Sequence, residues 1–557
     1  MLCAVAYLYV FPYFPEINNP NENVRLYMTA AIVEEGTYQI DSMRERWGWV
    51  NDAAVHHGHV FSVKAPGTSL LGVPAYALYH WSGGDDRTTA LWLCRVTASI
   101  IPTLIFLFFF HDWLGRRTPH PALRDATFLS VALGSLLFGY ALLFVSHTLS
   151  AVCAFGAFMV LFDARHVRTA TRARALLAGL LAAGVTCFEY PGLIVSIVLA
   201  LYALFALQPR QKLLWFALGG LVPTLLVMHF QWVAFENPLM PGHLYVETDA
   251  LREAHHEGLF GATGFHPEAA FTLLFDLGSG LFPLTPLLAL AVLGFPRAIA
   301  RRTTRLDGII ALACVLLTYV TITFMNNWRG GWTIGPRYLA VVVPFVAWAA
   351  LEGLDVLAER VPKTIALLAI GLTATAFVAS GIPSMYYPHL PPELTKPLAQ
   401  LYDVLVAHDY APPNAGNALG WWGTASMLPI FALGAAAIVW AAWQPRFQLR
   451  DRLTVVVGAL LVGGLLGGPL FQAPEPDRAV EDAVAFVTRT WTPKGHDLAA
   501  RLEWKIAEGG HVTFDDYRRL ADVYFEEGRD REARRVMRAG DLAAERARLL
   551  RERAAGN

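Results

Sequence analysis

Residues 88–117 read TTALWLCRVTASIIPTLIFLFFFHDWLGRR, a long apolar run with one charged side chain deep inside it and two arginines at its end. The run is long enough for a membrane-spanning helix, which needs about 20 apolar residues. Arg95 lies inside this run. An arginine there costs about 2.5–3.5 kcal/mol on insertion scales, so we expect it to have a partner within the protein.

The composition of the whole chain agrees with this first helix. Of the 557 residues, 55% are hydrophobic and 16% are charged, and the mean hydropathy is +0.41. Soluble domains carry about 25% charged residues, so the sequence predicts a polytopic membrane protein. Only helices satisfy their own backbone hydrogen bonds in lipid, so we predict an all-α fold of about 13 transmembrane helices. The runs are 2–14, 88–113, 126–146, 148–163, 174–188, 190–207, 213–235, 281–296, 307–325, 337–357, 364–381, 425–443 and 453–471.

Basic residues are concentrated in alternate loops between these runs. They occur at 116–124, 165–174, 210–212, 297–305, 360–363 and 446–452. The positive-inside rule places these loops in the cytoplasm. The alternation requires that 66–80 does not cross, so we predict a surface or re-entrant helix there. The amino terminus is then cytoplasmic, 15–87 is a large outer loop, and the tail from 472 is extracytoplasmic.

The chain is predicted to have two parts, a membrane domain at 1–471 and a soluble helical tail at 472–557. Residues 512–547 have helical periodicity around a Gly-containing turn. They are predicted to form one tetratricopeptide-like hairpin or a plain charged helical appendage. The five cysteines lie in apolar segments without paired spacing, which favours small core residues over a disulfide framework or a thiolate metal site. Residues 2–14 lack the basic start of a signal peptide, so we interpret them as a retained first span.

The predicted topology gathers polar side chains on the outer side. In the first outer loop, Glu22 and Arg25 share one stripe of a helix that starts near Asn19, which favours a surface helix with a charged face. The inner loops have no comparable mixture of acids, histidines and aromatic residues. We therefore expect a functional site on the outer face. The other outer candidates are Asp41, Asp52, His56, His57, His59, Lys64, His147, Glu189, Arg329 and Arg337.

Three short motifs carry a resemblance to a known family. Asn21-Glu22-Asn23-Val24-Arg25 is similar to an acidic pair that starts a surface helix, Phe61-Ser62-Val63-Lys64-Ala65-Pro66 to an aromatic-Lys-Pro-Pro motif, and Arg95 to an arginine early in the second span. In order and topology, residues 1–380 resemble the glycosyltransferase C superfamily, in the branch of protein O-mannosyltransferases and lipid A aminoarabinose transferases. The resemblance implies an integral-membrane GT-C enzyme that takes a sugar from a polyprenyl phosphate and inverts the anomeric centre. The acceptor would be a lipid, a glycan or a protein of the cell envelope.

The resemblance also assigns roles. Asn21 stands where the family has the aspartate that acts as base, so the catalytic carboxylate is expected to be Glu22, Asp41 or Asp52. Substrate-binding roles are expected for the cations and outer polar groups Arg25, Lys64, Arg95, His147, Glu189, Arg329 and Arg337. A carboxylate suits the proton of an acceptor hydroxyl, and cations suit a departing phosphate.

Several of these residues also have a purely structural explanation. Glu22 is the third helical residue if Asn19 caps the helix, as in a capping box. Arg25 could extend to lipid headgroups, and Arg95 could serve only in an ion pair. The histidines at 56–59 carry only a weak metal signal, and polar contact with the acceptor, or no role at all, is favoured over metal binding. We predict no metal site and identify no cofactor, with a divalent metal left open.

Two other functions are compatible with the same sequence. One is a transporter or flippase of lipid-linked sugars, although the repeat symmetry and midplane charges typical of transporters are not evident. The other is an inactive glycosyltransferase-like scaffold, because Asn21 replaces an acid. No G-x-x-x-x-G-K nucleotide loop is present, and nothing indicates nucleic-acid binding. The expected location is a bacterial inner (plasma) membrane.

The topology can be tested with reporter fusions. Reporters fused after Arg305 and Arg450 should report the cytoplasm, and one fused after Asp477 should report the outside, because the basic loops stay inside. A cytoplasmic reporter after Asp477 would mean that 66–80 crosses the membrane, and the outer group of polar residues would then be divided between the two sides.

Overall fold

Helices form nearly all of the regular structure of this chain. The computed structural model describes residues 2–13, 19–167, 170–258, 261–407, 409–443, 449–472, 474, 477–490, 499, 502–503, 506, 512–526 and 528–555. The helices are α1 (Leu2–Tyr9), α2 (Pro20–Glu34), α3 (Asp41–Trp47), α4 (Gly67–Trp81), α5 (Arg87–Gly115), α6 (Pro121–Leu133), α7 (Leu136–Ala141), α8 (His147–His166), α9 (Arg172–Phe188), α10 (Tyr190–Ala206), α11 (Lys212–Phe235), α12 (Asp249–His256), α13 (Pro267–Phe275), α14 (Leu281–Leu284), α15 (Pro286–Ala300), α16 (Arg305–Thr323), α17 (Arg337–Ala358), α18 (Pro362–Tyr386), α19 (Leu398–Ala407), α20 (Gly423–Ala442), α21 (Arg450–Phe471), α22 (Arg478–Thr490), α23 (Phe514–Glu526) and α24 (Asp530–Ala555).

Eight helices within the described residues are long and apolar enough to cross a membrane: α5, α8, α11, α16, α17, α18, α20 and α21. Three more, α10, α15 and α19, are apolar but shorter. The predicted class, a helical multi-pass membrane protein, agrees with this set. The count of 13 crossings stays a prediction.

One predicted span is interrupted. Residues 126–146 are divided between α6 and α7. Gly134 ends α6 where the chain passes close to α18, because a Cβ at Gly134 would lie 2.8 Å from the Cβ of Ala376. Ser135 then starts α7, and its hydroxyl accepts a hydrogen bond from the backbone N–H of Leu137 at 3.2 Å. The close approach at Gly134 and the helix cap at Ser135 thus divide into two helices a run that the apolar pattern predicted as one.

The all-α prediction missed one element, a β-hairpin in the predicted first outer loop. Strands β1 (Ala53–His56) and β2 (His59–Ser62) pair antiparallel, with Ala53 opposite Ser62 and His56 opposite His59. Its two-residue turn, His57-Gly58, has φ angles of 51° and 82°, as the tight turns of hairpins require. The sequence reading took these histidines as loop residues because the strands are only four residues long.

The predicted surface helix is wrong in one respect. In α2, residues 21–31 are all buried, the polar ones included, and the helix packs on α4. A second apolar core surrounds it, formed by the outer loop with the end of α11, and includes Tyr27, Met43, Phe61, Tyr76 and Phe235. The outer loop is therefore a folded layer in which α2 is an interior element.

The tail contains the two helices expected at 512–547. They are α23 and α24, joined by a turn in which Gly528 has a φ of +73°. Leu520, Ala521 and Tyr524 of α23 pack with Ala533 of α24 in a small separate core. The likeness to a tetratricopeptide unit and the division at 471 stay predictions.

Candidate functional site

Glu22 and Arg95 form a buried ion pair. Arg95 donates from Nε and Nη2 to the two carboxylate oxygens of Glu22 at 2.8 and 2.6 Å, and each side chain is no more than 3% exposed. Glu22 also accepts from the backbone N–H of Phe144 at 2.5 Å and from Asn19 Nδ2 at 2.8 Å. Asn19 is the N-cap of α2, as expected, but its side chain bonds this carboxylate. Four internal donors thus occupy the carboxylate of Glu22.

One turn further along α2, Arg25 begins a series of hydrogen bonds that leads to Glu189. Its Nη2 donates to Ser146 Oγ at 2.7 Å, and its Nη1 donates to the carbonyl of Asn21 at 3.0 Å. The Ser146 hydroxyl donates to Glu189, whose carboxylate also lies 3.0 Å from His147 Nδ1. Burial lowers the pKa of Arg25 to about 10, opposed by Glu189, so the guanidinium is charged at neutral pH.

Glu189 is kept ionised by these neighbouring groups. Burial disfavours its charged form, but His147, Arg25 and the Ser146 hydroxyl outweigh burial and keep the pKa of Glu189 well below its usual range. The other ring nitrogen of His147, Nε2, is buried and has no hydrogen-bond partner among the described residues. The imidazole is therefore oriented through Nδ1 and has one nitrogen available for a ligand.

Asp52 and Lys64 flank the base of the hairpin and form another ion pair. Asp52 precedes β1, Lys64 follows β2 by two residues, and Lys64 Nζ lies 2.9 Å from Asp52 Oδ2. Both side chains are 20% exposed, in contrast to Glu22 and Arg95. Burial alone would raise the pKa of Asp52, but Lys64, Arg337 and Arg25 outweigh it and hold the pKa below its usual value.

Arg337 brings a third cation from the start of α17. Its Nη2 donates to the hydroxyl of Tyr338 at 3.1 Å, and its Nε has no hydrogen-bond partner within the described ranges. Gly330 and Gly331, which precede α17, have φ angles of +76° and +87°. A Cβ at Gly330 would overlap the Arg337 guanidinium, so the glycine makes room for this arginine.

A small cleft, with about 20 Å³ open to a water-sized sphere, lies beside these groups. Arg337 and Glu189 supply its charges, and Tyr338 and His147 supply aromatic walls whose ring centroids are 6.2 Å apart. The remaining lining residues are Ser150, Pro191, Gly192, Thr318, Thr321, Ile322 and Val341. Charged, hydroxyl-bearing and apolar side chains thus share the lining of this cleft.

The structure brings together six of the residues that the sequence indicated: Arg25, Asp52, Lys64, His147, Glu189 and Arg337. It places the others elsewhere. Asp41 accepts from the backbone N–H of Val60 at 3.2 Å and lies 3.7 Å from His59, so it braces the hairpin. Arg329 faces other charges, those of Asp276, Glu393 and Glu268. Glu22 and Arg95 lie in the layer that supports Arg25.

Sequence reasoning missed Ser146, Tyr338 and the role of Asn21. Ser146 links Arg25 to Glu189, Tyr338 contacts Arg337, and Asn21 accepts from Arg25. Each is adjacent in the chain to a residue that was singled out or lies within the same motif. Neutral hydroxyl and amide groups are common at helix ends, however, so their presence alone indicated nothing.

The groups of the site do not balance in charge. Three cations, Arg25, Lys64 and Arg337, face two carboxylates, Asp52 and Glu189, which leaves one positive charge within this set. Burying an uncompensated charge is costly, and the cost is relieved when an anion binds. The arrangement is therefore suited to an anionic ligand.

Solved structures that are similar to this chain include two membrane transferases. One is ArnT from Cupriavidus metallidurans bound to undecaprenyl phosphate, with a TM-score of 0.47 and 14% identity over 89% of this chain and 80% of that one. Another is the archaeal oligosaccharyltransferase AglB from Archaeoglobus fulgidus in complex with an inhibitory peptide and a dolichol-phosphate, with a TM-score of 0.44 and 13% identity. That match covers 73% of this chain, which spans 56% of the length of AglB.

Both similar proteins are glycosyltransferases of the GT-C type, the superfamily that the sequence resembles. No protein-family model matches the sequence, and no curated protein matches it. With both TM-scores below 0.5, we draw the function from the residues of the site and not from these similarities.

The buried Glu22–Arg95 pair predicts a specific stability pattern. Glu22→Gln should lower the free energy of unfolding by about 3–5 kcal/mol, because it leaves the Arg95 charge buried and unpaired. The double variant Glu22→Gln with Arg95→Met should recover much of this loss, because it removes the charge as well. Thermal unfolding in detergent measures both.

Glu45→Gln is the matched control, since Glu45 is exposed in the same outer loop. A Glu22→Gln protein as stable as the control would contradict the structural role of the pair.

Proposed function

We propose that this protein transfers a sugar from a polyprenyl-phosphate donor to a hydroxyl of a lipid, glycan or protein acceptor on the outer face of the membrane, with inversion. The observation that carries the proposal is the excess positive charge of the site, three cations against two carboxylates. A phosphodiester is the anion of a lipid-linked sugar. It would supply the missing negative charge at the depth where a membrane carrier presents its headgroup.

The phosphate is assigned to Lys64 and Arg337. The guanidinium of Arg337 has an Nε–H without a hydrogen-bond partner in the described part of the chain, and Arg binds phosphate oxygens in a planar, paired geometry. Among the described residues, the Lys64 ammonium is paired with Asp52, and the Lys64 side chain is 20% exposed, so an incoming phosphate can compete for it. Arg25 is fixed to Ser146 and Asn21 and adds positive potential from below.

Asp52 is assigned as the base. Its pKa is held below the usual value, so it is ionised and able to accept a proton. In the resting site Lys64 neutralises it. When the phosphate draws Lys64 away, the carboxylate is released to the acceptor hydroxyl. Asp41 and Glu22 lack this freedom, because the first binds backbone N–H of the hairpin and the second binds Arg95.

The reaction follows as a single displacement. The acceptor oxygen attacks the anomeric carbon while its proton passes to Asp52. The bond between that carbon and the phosphate oxygen breaks, and the electron pair leaves with the polyprenyl phosphate. Because attack and departure occur on opposite faces, the anomeric centre is inverted. Lys64 and Arg337 stabilise the additional charge that develops on the phosphate.

The Glu189–His147 pair is assigned to the sugar or the acceptor. Glu189 fixes the imidazole through Nδ1, His147 lines the cleft, and its Nε2 has no hydrogen-bond partner among the described residues. A hydroxyl of a sugar ring is the right chemistry for a fixed, neutral ring nitrogen. We also propose the finer topology, with about 13 spans in 1–471, the site outside a bacterial inner membrane, and the tail on the same side.

Removing the base should abolish most of the chemistry. Asp52→Asn should lower sugar transfer by about 10²-fold or more, because an amide cannot take the acceptor proton. Transfer would be measured with purified protein in nanodiscs and a series of polyprenyl-phosphate sugars.

Asp85→Asn, an exposed acid in the same outer loop, serves as the control. Equal activity of Asp52→Asn and the control would reject Asp52 as base. A wild-type protein that binds the donor and never transfers the sugar would instead support the scaffold or transporter alternatives.

Removing a phosphate ligand should weaken donor binding. Lys64→Ala and Arg337→Ala should each lower affinity for polyprenyl phosphate by about 10- to 150-fold, the loss of a hydrogen bond to a charged group worth about 1.5–3 kcal/mol. Equilibrium binding of a fluorescent polyprenyl phosphate measures this change.

Lys396→Ala is the control, because Lys396 is not among the charges named as acting on Asp52, and this variant should bind as wild type does. Binding that is insensitive to Lys64 and Arg337, or efficient use of a soluble nucleotide sugar, would overturn the assignment of the donor.

A further inference from the structure

The tip of the β-hairpin holds a second group of polar side chains. Within the part of the chain that the structure describes, His56, His57 and Glu236 form the one group of three potential metal ligands whose donor atoms all lie within 4.8 Å of one another. His57 Nε2 is 3.7 Å from Glu236 Oε2. His57 and Glu236 are 65% and 72% exposed, so these two side chains are open to solvent.

The three residues of this group come from two separate parts of the chain. His56 ends β1, His57 is the first residue of the turn, and Glu236 follows the last residue of α11. His56 Nε2 is buried and has no hydrogen-bond partner in the described residues, although its ring lies 5.0 Å from the ring of Tyr245. A buried ring nitrogen without a partner is an unsatisfied polar group.

The backbone at two of the three positions is unusual. His57 has a φ of 51° and Glu236 a φ of 56°, both in the left-handed region that residues other than glycine rarely adopt. In a two-residue hairpin turn, the first position favours Asn, Asp or Gly, and here it is histidine. Two strained backbones that direct an imidazole and a carboxylate toward each other indicate a local function.

The donor set matches a divalent transition metal. Imidazole nitrogen and carboxylate oxygen bind zinc at about 2.0–2.2 Å in a tetrahedral arrangement, which corresponds to about 3.4 Å between ligand atoms. The 3.7 Å between His57 and Glu236 is close to this value, and the exposed side chains can adjust by the remaining fraction of an ångström. Solvent would supply the fourth ligand.

We propose that His56, His57 and Glu236 bind one zinc-like divalent cation that clamps the tip of the hairpin to the outer end of α11. The rest of the hairpin is already held at its base, where Ala54 bridges to Val246 and Phe61 bridges to Gln39. The metal would secure the free end. Its role is structural, since the tip lies about four strand residues, roughly 13 Å, from the Asp52–Lys64 pair.

Metal binding is tested on tag-free protein treated with a chelator and titrated with Zn²⁺. Wild type should bind one Zn²⁺ per chain at this site, and X-ray absorption should show nitrogen and oxygen ligands with no sulfur. His57→Asn, which tolerates a positive φ, and Glu236→Gln should each weaken this binding at least tenfold. His59→Ala is the matched control, because His59 lies on the same hairpin outside the group.

Hydrogen exchange provides a second readout that does not depend on sugar transfer. Zn²⁺ should slow exchange of the β1 and β2 amides in wild type and in His59→Ala, and should have no effect in Glu236→Gln. Absence of stoichiometric binding, equal binding by all variants, or unchanged exchange on adding Zn²⁺ would each overturn the proposal. None of these results bears on the assignment of Asp52 or Lys64, which the transfer and lipid-binding assays decide.

Discussion

A buried ion pair between Glu22 and Arg95 determines how the outer layer sits on the helices beneath it. Glu22 is one helical turn before Arg25, and both point to the segment between α7 and α8, the first to Phe144 and the second to Ser146. Breaking the pair would leave a guanidinium buried at the top of α5. Arg25 lies one turn from Glu22 on the same helix, and Ser146 links it to Glu189.

The remaining groups of the site come from elements that are held independently. The hairpin supports Asp52 and Lys64 on adjacent chain ends, and the glycine turn before α17 gives Arg337 its space. Each cation is paired or fixed by a neutral neighbour, yet together they exceed the carboxylates. A rigid surplus of charge in a partly dry site interacts more strongly with an anion than the same charges would in water. The fold thus holds a net positive charge that a bound phosphate would neutralise.

Sequence reasoning predicted the long helices well, because apolar length is a local property; α5, α8, α11 and α16 begin and end within about three residues of their predicted runs. It failed at Gly134, where contact with Ala376 ends a helix. In the site, Lys64 was singled out through a motif and Arg337 through its place on the predicted outer side, but Glu22 and Asp52 could not be told apart. Both are carboxylates of one loop, and they differ in their partners, which are Arg95 for Glu22 and Lys64 for Asp52. Only the fold brings these pairs together.

The burial of α2 has a consequence for biosynthesis. A helix with Asn21, Glu22, Asn23, Arg25 and Thr29 inside has no apolar face strong enough to hold it before its partners exist. Phe144, which binds Glu22, follows it by 122 residues. At about 5–20 residues per second, a ribosome takes roughly 6–24 s to add that length. The loop that carries α2 therefore completes its packing only after this delay, when Phe144 has been synthesised.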